Sequence, residues 1–201
     1  MVPSSHLTIE EMTRLLAVPG QQVHDFRRPC AGPAKSAAVL VPLLWDGGEW
    51  HLLFTRRTDT VPDHKGQVSF PGGSSEPHDP NPEATALRET FEEIGIPPEK
   101  IHPIGRMVPM ITITHFCITP VVGIIPWPVS LFPSPGEVSR VFTIPLHWLA
   151  QPQNHQIKTT TLEGHAYQVV YFSPFDGETL WGITARITLT LLETFGLVCA
   201  T

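Results

Sequence analysis

Hydrophobic positions along the chain follow two periods, one of strands and one of helices. Val39 to Trp45 and Trp50 to Arg56 are strand-like, and Asp46-Gly47-Gly48-Glu49 between them is a hairpin signal. Gln67 to Phe70, Gly105 to Met110, Phe116 to Ile125 and Tyr167 to Phe172 read as further strands. Thr8-Ile9-Glu10-Glu11 has the form of a capping box and opens a short helix to about Val18. A second helix follows Asn81, a third spans Pro145 to Ala150, and Trp181 to Phe195 closes the chain with Ile187, Leu191 and Leu192 on its buried side. Residues 19–36 are an irregular connection, residues 126–136 with their four prolines an exposed loop, and Asp176-Gly177 a turn. The division this implies is residues 1–35 as helix and connection, 36–195 as one α/β domain, and 196–201 as a tail.

The second helix carries the chemistry. Asn81 fits the N-cap, Pro82 the first helical position, and Gly95 the C-terminal cap. At about 100° per residue, Glu89, Glu92 and Glu93 share one face, and Ala84, Leu87, Phe91 and Ile94 form the stripe expected to be buried opposite. An acidic helix face is ordinarily just solvated. Glu89 and Glu93, however, are like charges four apart, unfavourable by roughly 0.2–0.5 kcal/mol, and a hard divalent cation turns such repulsion into ligation. Arg88 can pair with Glu92 four residues on.

The loop before the helix shifts the balance toward ligation. Phe70-Pro71-Gly72-Gly73 follows a strand-like run, and tandem glycines let backbone approach a ligand closely. A glycine loop leading to Arg88-Glu89-Thr90-Phe91-Glu92-Glu93-Ile94-Gly95-Ile96 resembles the signature of the Nudix hydrolases. The second half of that signature matches in full. In the first half, Asp79 stands where the family has Glu, and one extra residue precedes Arg88.

That extra residue, with Gly66-Gln67-Val68-Ser69-Phe70-Pro71-Gly72-Gly73 upstream, is similar to the coenzyme A pyrophosphatase branch of the family. Leu52 to Gly73, the segment Glu137 to Leu146, and Trp181-Gly182-Ile183-Thr184-Ala185-Arg186 extend the likeness over roughly residues 36–193. Two positions depart from the branch: Thr58 where Ser or Ala is usual, and Pro62 where the branch has Arg. The resemblance implies a Nudix fold, an α/β/α sandwich with a mixed β-sheet. It also implies Mg²⁺ or Mn²⁺ held by Glu89, Glu92 and Glu93, with the Gly72 carbonyl as a further ligand.

Composition changes this picture little. A chain of 201 residues with 41% hydrophobic content is one ordinary domain with a core. A net charge of −6 argues against a nucleic-acid-coating surface. Cys30, Cys117 and Cys199 lack metal-ligand spacing and read as reduced packing residues, and the ten histidines are scattered. Val121 to Val129 is too short and proline-broken to span a bilayer, and no signal peptide is evident, so a cytoplasmic location is expected.

The expected activity is hydrolysis of a pyrophosphate bond in a small nucleotide-containing molecule, with no nucleic acid or membrane partner; a homodimer is compatible with this. The leading substrate is coenzyme A. ADP-ribose, NADH or a dinucleoside polyphosphate is the alternative, and a non-catalytic nucleotide-binding module the alternative of another class. Glu89, Glu92, Glu93, Arg88 and Glu137 are the catalytic candidates, with Glu137 or a box glutamate as general base and Arg88 chiefly orienting a glutamate. Arg57, His64 and Gly73 are the substrate-binding candidates. Strand alternation puts Arg56 and Arg57 on opposite faces, so at most one faces the site, and the resemblance to the branch implies that it is Arg57. Thr112 to Phe116 is a further candidate lining segment.

Overall fold

The computed structural model describes residues 7–18, 34–59, 65–162 and 165–199. His64, Pro62 and most of the expected irregular connection lie outside the described residues.

Strands β1 (Lys35–Asp46) and β2 (Glu49–Arg57) form the expected hairpin, turning at Gly47 and Gly48, both with positive φ. β3 (Val68–Ser69) pairs with β2, and β4 (Gly72–Ser74) with β1. β5 (His102–Arg106) and β6 (Met110–Ile111) both pair with β7 (Phe116–Ile124). β8 (Val138–Pro145) lies along the other side of β2. The sheet is mixed, because β1 and β7 run parallel while the other pairs are antiparallel.

Both faces of this sheet are covered, as the long apolar runs in β1 and β2 require. Val41 and Leu43 of β1, Leu52 and Phe54 of β2 and Val122 of β7 point to one face, where helix α1 (Ile9–Ala17) adds Met12 and Leu16. Helix α4 (Gly182–Thr194) adds Ile187, Leu191 and Leu192 to the same core. Ala38, Leu40 and Leu44 of β1, Leu53 of β2 and Val121 of β7 point to the other, against Ala86 and Ile94 of helix α2 (Pro82–Ile94). Alternation of period two thus divides one sheet between two apolar layers. A short helix α3 (Leu146–Leu149) precedes a separate hairpin of β9 (His155–Leu162) and β10 (His165–Phe172). Among the described residues no helix is long and apolar enough to cross a membrane.

Several expectations need correcting. The strand expected over Gly105 to Met110 is two short strands, β5 and β6, interrupted at Met107 to Pro109. β8 and β9 carried no clear strand signal; β9 is polar along most of its length because its side chains are largely solvent-facing. Phe91 does not join the buried stripe: it is 52% exposed, while Glu93 is 3% exposed. The helix is rolled so that a carboxylate, not an aromatic ring, enters the interior. Cys117 is disulfide-bonded, whereas Cys199 is free and exposed, so Cys117 is not the reduced packing residue expected. Cysteine spacing alone carries no information on such a bridge.

Candidate active site

The site forms where the last turns of α2, the start of β4 and the end of β2 meet. Asn81 Oδ1 caps α2 by accepting from the Ala84 N–H at 2.9 Å, and Gly95 ends it in the left-handed conformation with φ 72°. Gly72 has φ 152°, and a Cβ there would lie 2.4 Å from the Ala38 carbonyl oxygen; only glycine lets β4 sit this close to β1. A Cβ on Gly73 would meet the Glu89 carboxylate at 2.6 Å. The tandem glycines therefore do separate things: Gly72 admits backbone and Gly73 admits a carboxylate.

Glu93 is the buried carboxylate of the site. Its Oε1 lies 3.7 Å from Arg57 Nη1, and the Gly72 N–H donates to it. Burial nevertheless dominates, and with the charges of Glu89 and Glu137 nearby the Glu93 pKa is pushed up to about 8. Glu93 Oε2 and Arg57 Nε are both buried and lack a hydrogen-bond partner among the described residues. Glu89 is raised too, by burial first, against the lowering effect of Arg88. Glu92 is half-exposed.

Arg88 is fully engaged. Nε and Nη2 donate to the two oxygens of Asp79 at 3.2 and 3.0 Å, Nη1 donates to Glu89 at 2.9 Å and to Glu92 at 3.3 Å, and Nη2 also reaches the Ser74 carbonyl at 3.0 Å. Asp79 is a hub in turn, accepting from the Thr85 hydroxyl at 3.0 Å and the Glu76 N–H at 2.9 Å. The Arg88 hydrogen bond, ahead of these others, holds its carboxyl well below the usual range. Asp79 was legible only as a departure in the signature; its pairing with Arg88, nine residues away, has no local sequence signal.

The remaining candidates divide. Glu137 is brought beside the helix, close enough to raise both Glu89 and Glu93. Arg57 faces Glu93, whereas Arg56 turns away to Glu178 at 3.6 Å and Asp59 at 3.5 Å. Thr112 to Phe116 is a turn bonded to itself, with the Thr112 hydroxyl accepting from the Phe116 N–H at 3.0 Å. Among the described residues no three acidic, His or Cys side chains converge as a ready-made ligand set, because Glu89 and Glu92 are drawn onto Arg88. The orphaned Glu93 oxygen and the Gly73 cradle under Glu89 nonetheless fit a divalent cation, which supplies what the buried carboxylate lacks.

Residues 34–164 match the NUDIX domain. This chain is a Nudix hydrolase. It is 37% identical over 159 residues to the uncharacterized Nudix hydrolase NudL of Photorhabdus laumondii, covering 79% of this chain and 84% of that one. Against the NudL of Yersinia pestis (strain Pestoides F) the identity is again 37%, with 79% of each chain covered. A MutT/nudix family protein of known structure from Enterococcus faecalis superposes with a TM-score of 0.53 over 82% of this chain and 62% of that one, at 16% identity, which bears on the fold alone. This Nudix hydrolase is therefore a pyrophosphohydrolase of small nucleoside diphosphate derivatives and belongs to a family that uses divalent metal ions.

Two consequences are measurable. Gly73→Ala should leave the melting temperature nearly unchanged, since only the far end of Glu89 must move. It should lower kcat about tenfold or more by displacing that carboxylate; equal losses of stability and activity would show that the glycine serves the fold instead. The second concerns pH. Glu93 has an ordinary value of 4.5 and is pushed up to about 8 on folding. Between these values the unfolded chain releases a proton that the native one keeps, so native stability falls as pH rises through this window. Glu93→Gln removes that loss. In chelator, the variant should melt above the wild type at pH 8, with the gap narrowing toward pH 4.5 in thermal melts.

Proposed function

We propose that this Nudix hydrolase is a metal-dependent coenzyme A pyrophosphatase, converting coenzyme A or acyl-CoA to 3′,5′-ADP and (acyl-)4′-phosphopantetheine. The observation that carries the reading is the Glu93–Arg57 pair beside Gly72 and Gly73. Among the described residues, one carboxylate oxygen and one guanidinium nitrogen are buried there without hydrogen-bond partners, one suited to a cation and the other to a phosphate. The branch-like segments at Leu52 to Gly73 and Trp181 to Arg186 support the choice of substrate.

Glu89, Glu92 and Glu93, with Gly72, would hold Mg²⁺ or Mn²⁺. Such an ion, when bound, neutralises charge developing on the two phosphates. The chain's own residues do the rest. Asp79 fixes Arg88, and Arg88 fixes the carboxylates of Glu89 and Glu92. Glu137 takes a proton from the attacking water as its oxygen bonds to phosphorus and the bridging P–O bond breaks. Arg57 and Gly73 receive the substrate phosphates, and His64 is assigned with them on its sequence position. Pro62, standing where the branch has Arg, favours a second reading in which ADP-ribose, NADH or a dinucleoside polyphosphate is the substrate.

Hydrolysis assays over coenzyme A, dephospho-CoA, ADP-ribose and NADH, each with Mg²⁺ and Mn²⁺, separate these readings. Coenzyme A should exceed dephospho-CoA by about tenfold in kcat/KM, the effect of one charge-assisted contact to the 3′-phosphate. Equal rates would move the assignment to the second reading. Glu92→Gln and Glu93→Gln should each lower kcat by on the order of 10²-fold with the fold retained. Turnover within about threefold of wild type in both would remove the metal-ligand assignment.

A further inference from the structure

Glu137 stands on an exposed segment, Pro135-Gly136-Glu137, in which a side chain added at Gly136 would meet only open space. Such a segment needs fastening if its carboxylate is to hold one position, and the fastenings are visible. On the helix side, the Ser134 N–H donates to the Glu93 carbonyl at 2.8 Å, and the Glu137 N–H donates back to the Ser134 carbonyl at 3.1 Å. On the sheet side, Thr58 bonds this segment twice. Its N–H donates to the Glu137 carbonyl at 2.9 Å and its hydroxyl to the Gly136 carbonyl at 3.1 Å. Two residues further on, the ladder between β2 and β8 slips, with Arg56 opposite Arg140 and Arg57 opposite Val138, so that Ser139 is the extra residue of a bulge. Bulges disrupt the ladder and re-aim neighbouring side chains. Here the Ser139 hydroxyl is shared between the carbonyls of Arg56 at 3.0 Å and Arg57 at 3.2 Å, closing the gap that the slip opens.

We infer that Thr58 and Ser139 are positioning residues, a pair of hydroxyls that clasp the Glu137 segment to the end of β2 and set Glu137 against the box helix. Thr58 is buried, and both hydroxyls are spent on backbone carbonyls, so neither reaches substrate. The Thr58 departure from the branch gains a physical use: Ala there would lack the hydroxyl that reaches Gly136. This inference rests on Glu137 acting as the general base.

A double-mutant cycle tests both levels. Thr58→Val and Ser139→Ala should each lower kcat about five- to tenfold with KM within twofold, because a small displacement of a catalytic group costs turnover rather than binding. Thr58→Ser and Ser139→Thr, which keep the hydroxyl, should restore wild-type kcat. Glu137→Gln should lower kcat about 10²-fold, and in that background Thr58→Val should cost nothing further, since what it positions is gone. Thr58→Val and Ser139→Ala at wild-type kcat, alongside an impaired Glu137→Gln, would overturn the clasp and leave the base assignment standing. So would a Thr58→Val loss that persists undiminished in the Glu137→Gln background. Wild-type turnover by Glu137→Gln would overturn the base assignment and the clasp with it. Melting temperatures identify any variant that fails to fold, in which case the other hydroxyl carries the test.

Discussion

A carboxylate buried at the junction of helix and sheet sets the terms for the rest of this structure. Removing an ionised group from water is costly unless charge or hydrogen bonds compensate, and Glu93 is almost wholly buried with one oxygen unpaired. Its compensation comes from two separate stretches of chain: Arg57 at the end of β2 and the Gly72 N–H in β4. That compensation is incomplete, as the raised pKa shows. The native chain thus carries an unsatisfied acid at the centre of the candidate site.

Beside this acid lies a second, fully paired network. Arg88 is saturated by Asp79, Glu89, Glu92 and the Ser74 carbonyl, and Asp79 is saturated by Arg88, Thr85 and the Glu76 N–H. A network with every member paired is rigid, whereas a half-paired one is not. The Asp79–Arg88 fork is therefore the fixed part of the site. Glu89 and Glu92, each holding only one guanidinium nitrogen, are the part free to exchange that nitrogen for another positive charge. Asp79, standing where the signature has Glu, reaches both Nε and Nη2 of Arg88.

Much of this was legible in the chain. The caps at Asn81 and Gly95, the hairpin at Gly47-Gly48, the closing helix from Trp181 and the two-sided burial of β1 and β2 all follow from local signals that tertiary contacts reinforce. The site glutamates were legible through their spacing and the glycines before them. Strand alternation separated Arg56 from Arg57, and the two do turn to different partners. What failed were readings in which local pattern and long-range packing disagree. Helical periodicity assigned Phe91 to the buried stripe, whereas the structure exposes Phe91 and buries Glu93.

The sequence by itself determined the elements, the acidic helix and the glycine loop, because caps, turns and periodicity are interactions between residues a few positions apart. Only the tertiary structure decided which carboxylate is buried, what holds Arg88, and how Glu137 reaches a helix more than forty residues before it. Those are contacts between segments distant in sequence. Their energies depend on burial and on the direction in which a side chain points, and neither is a property of any short stretch of chain.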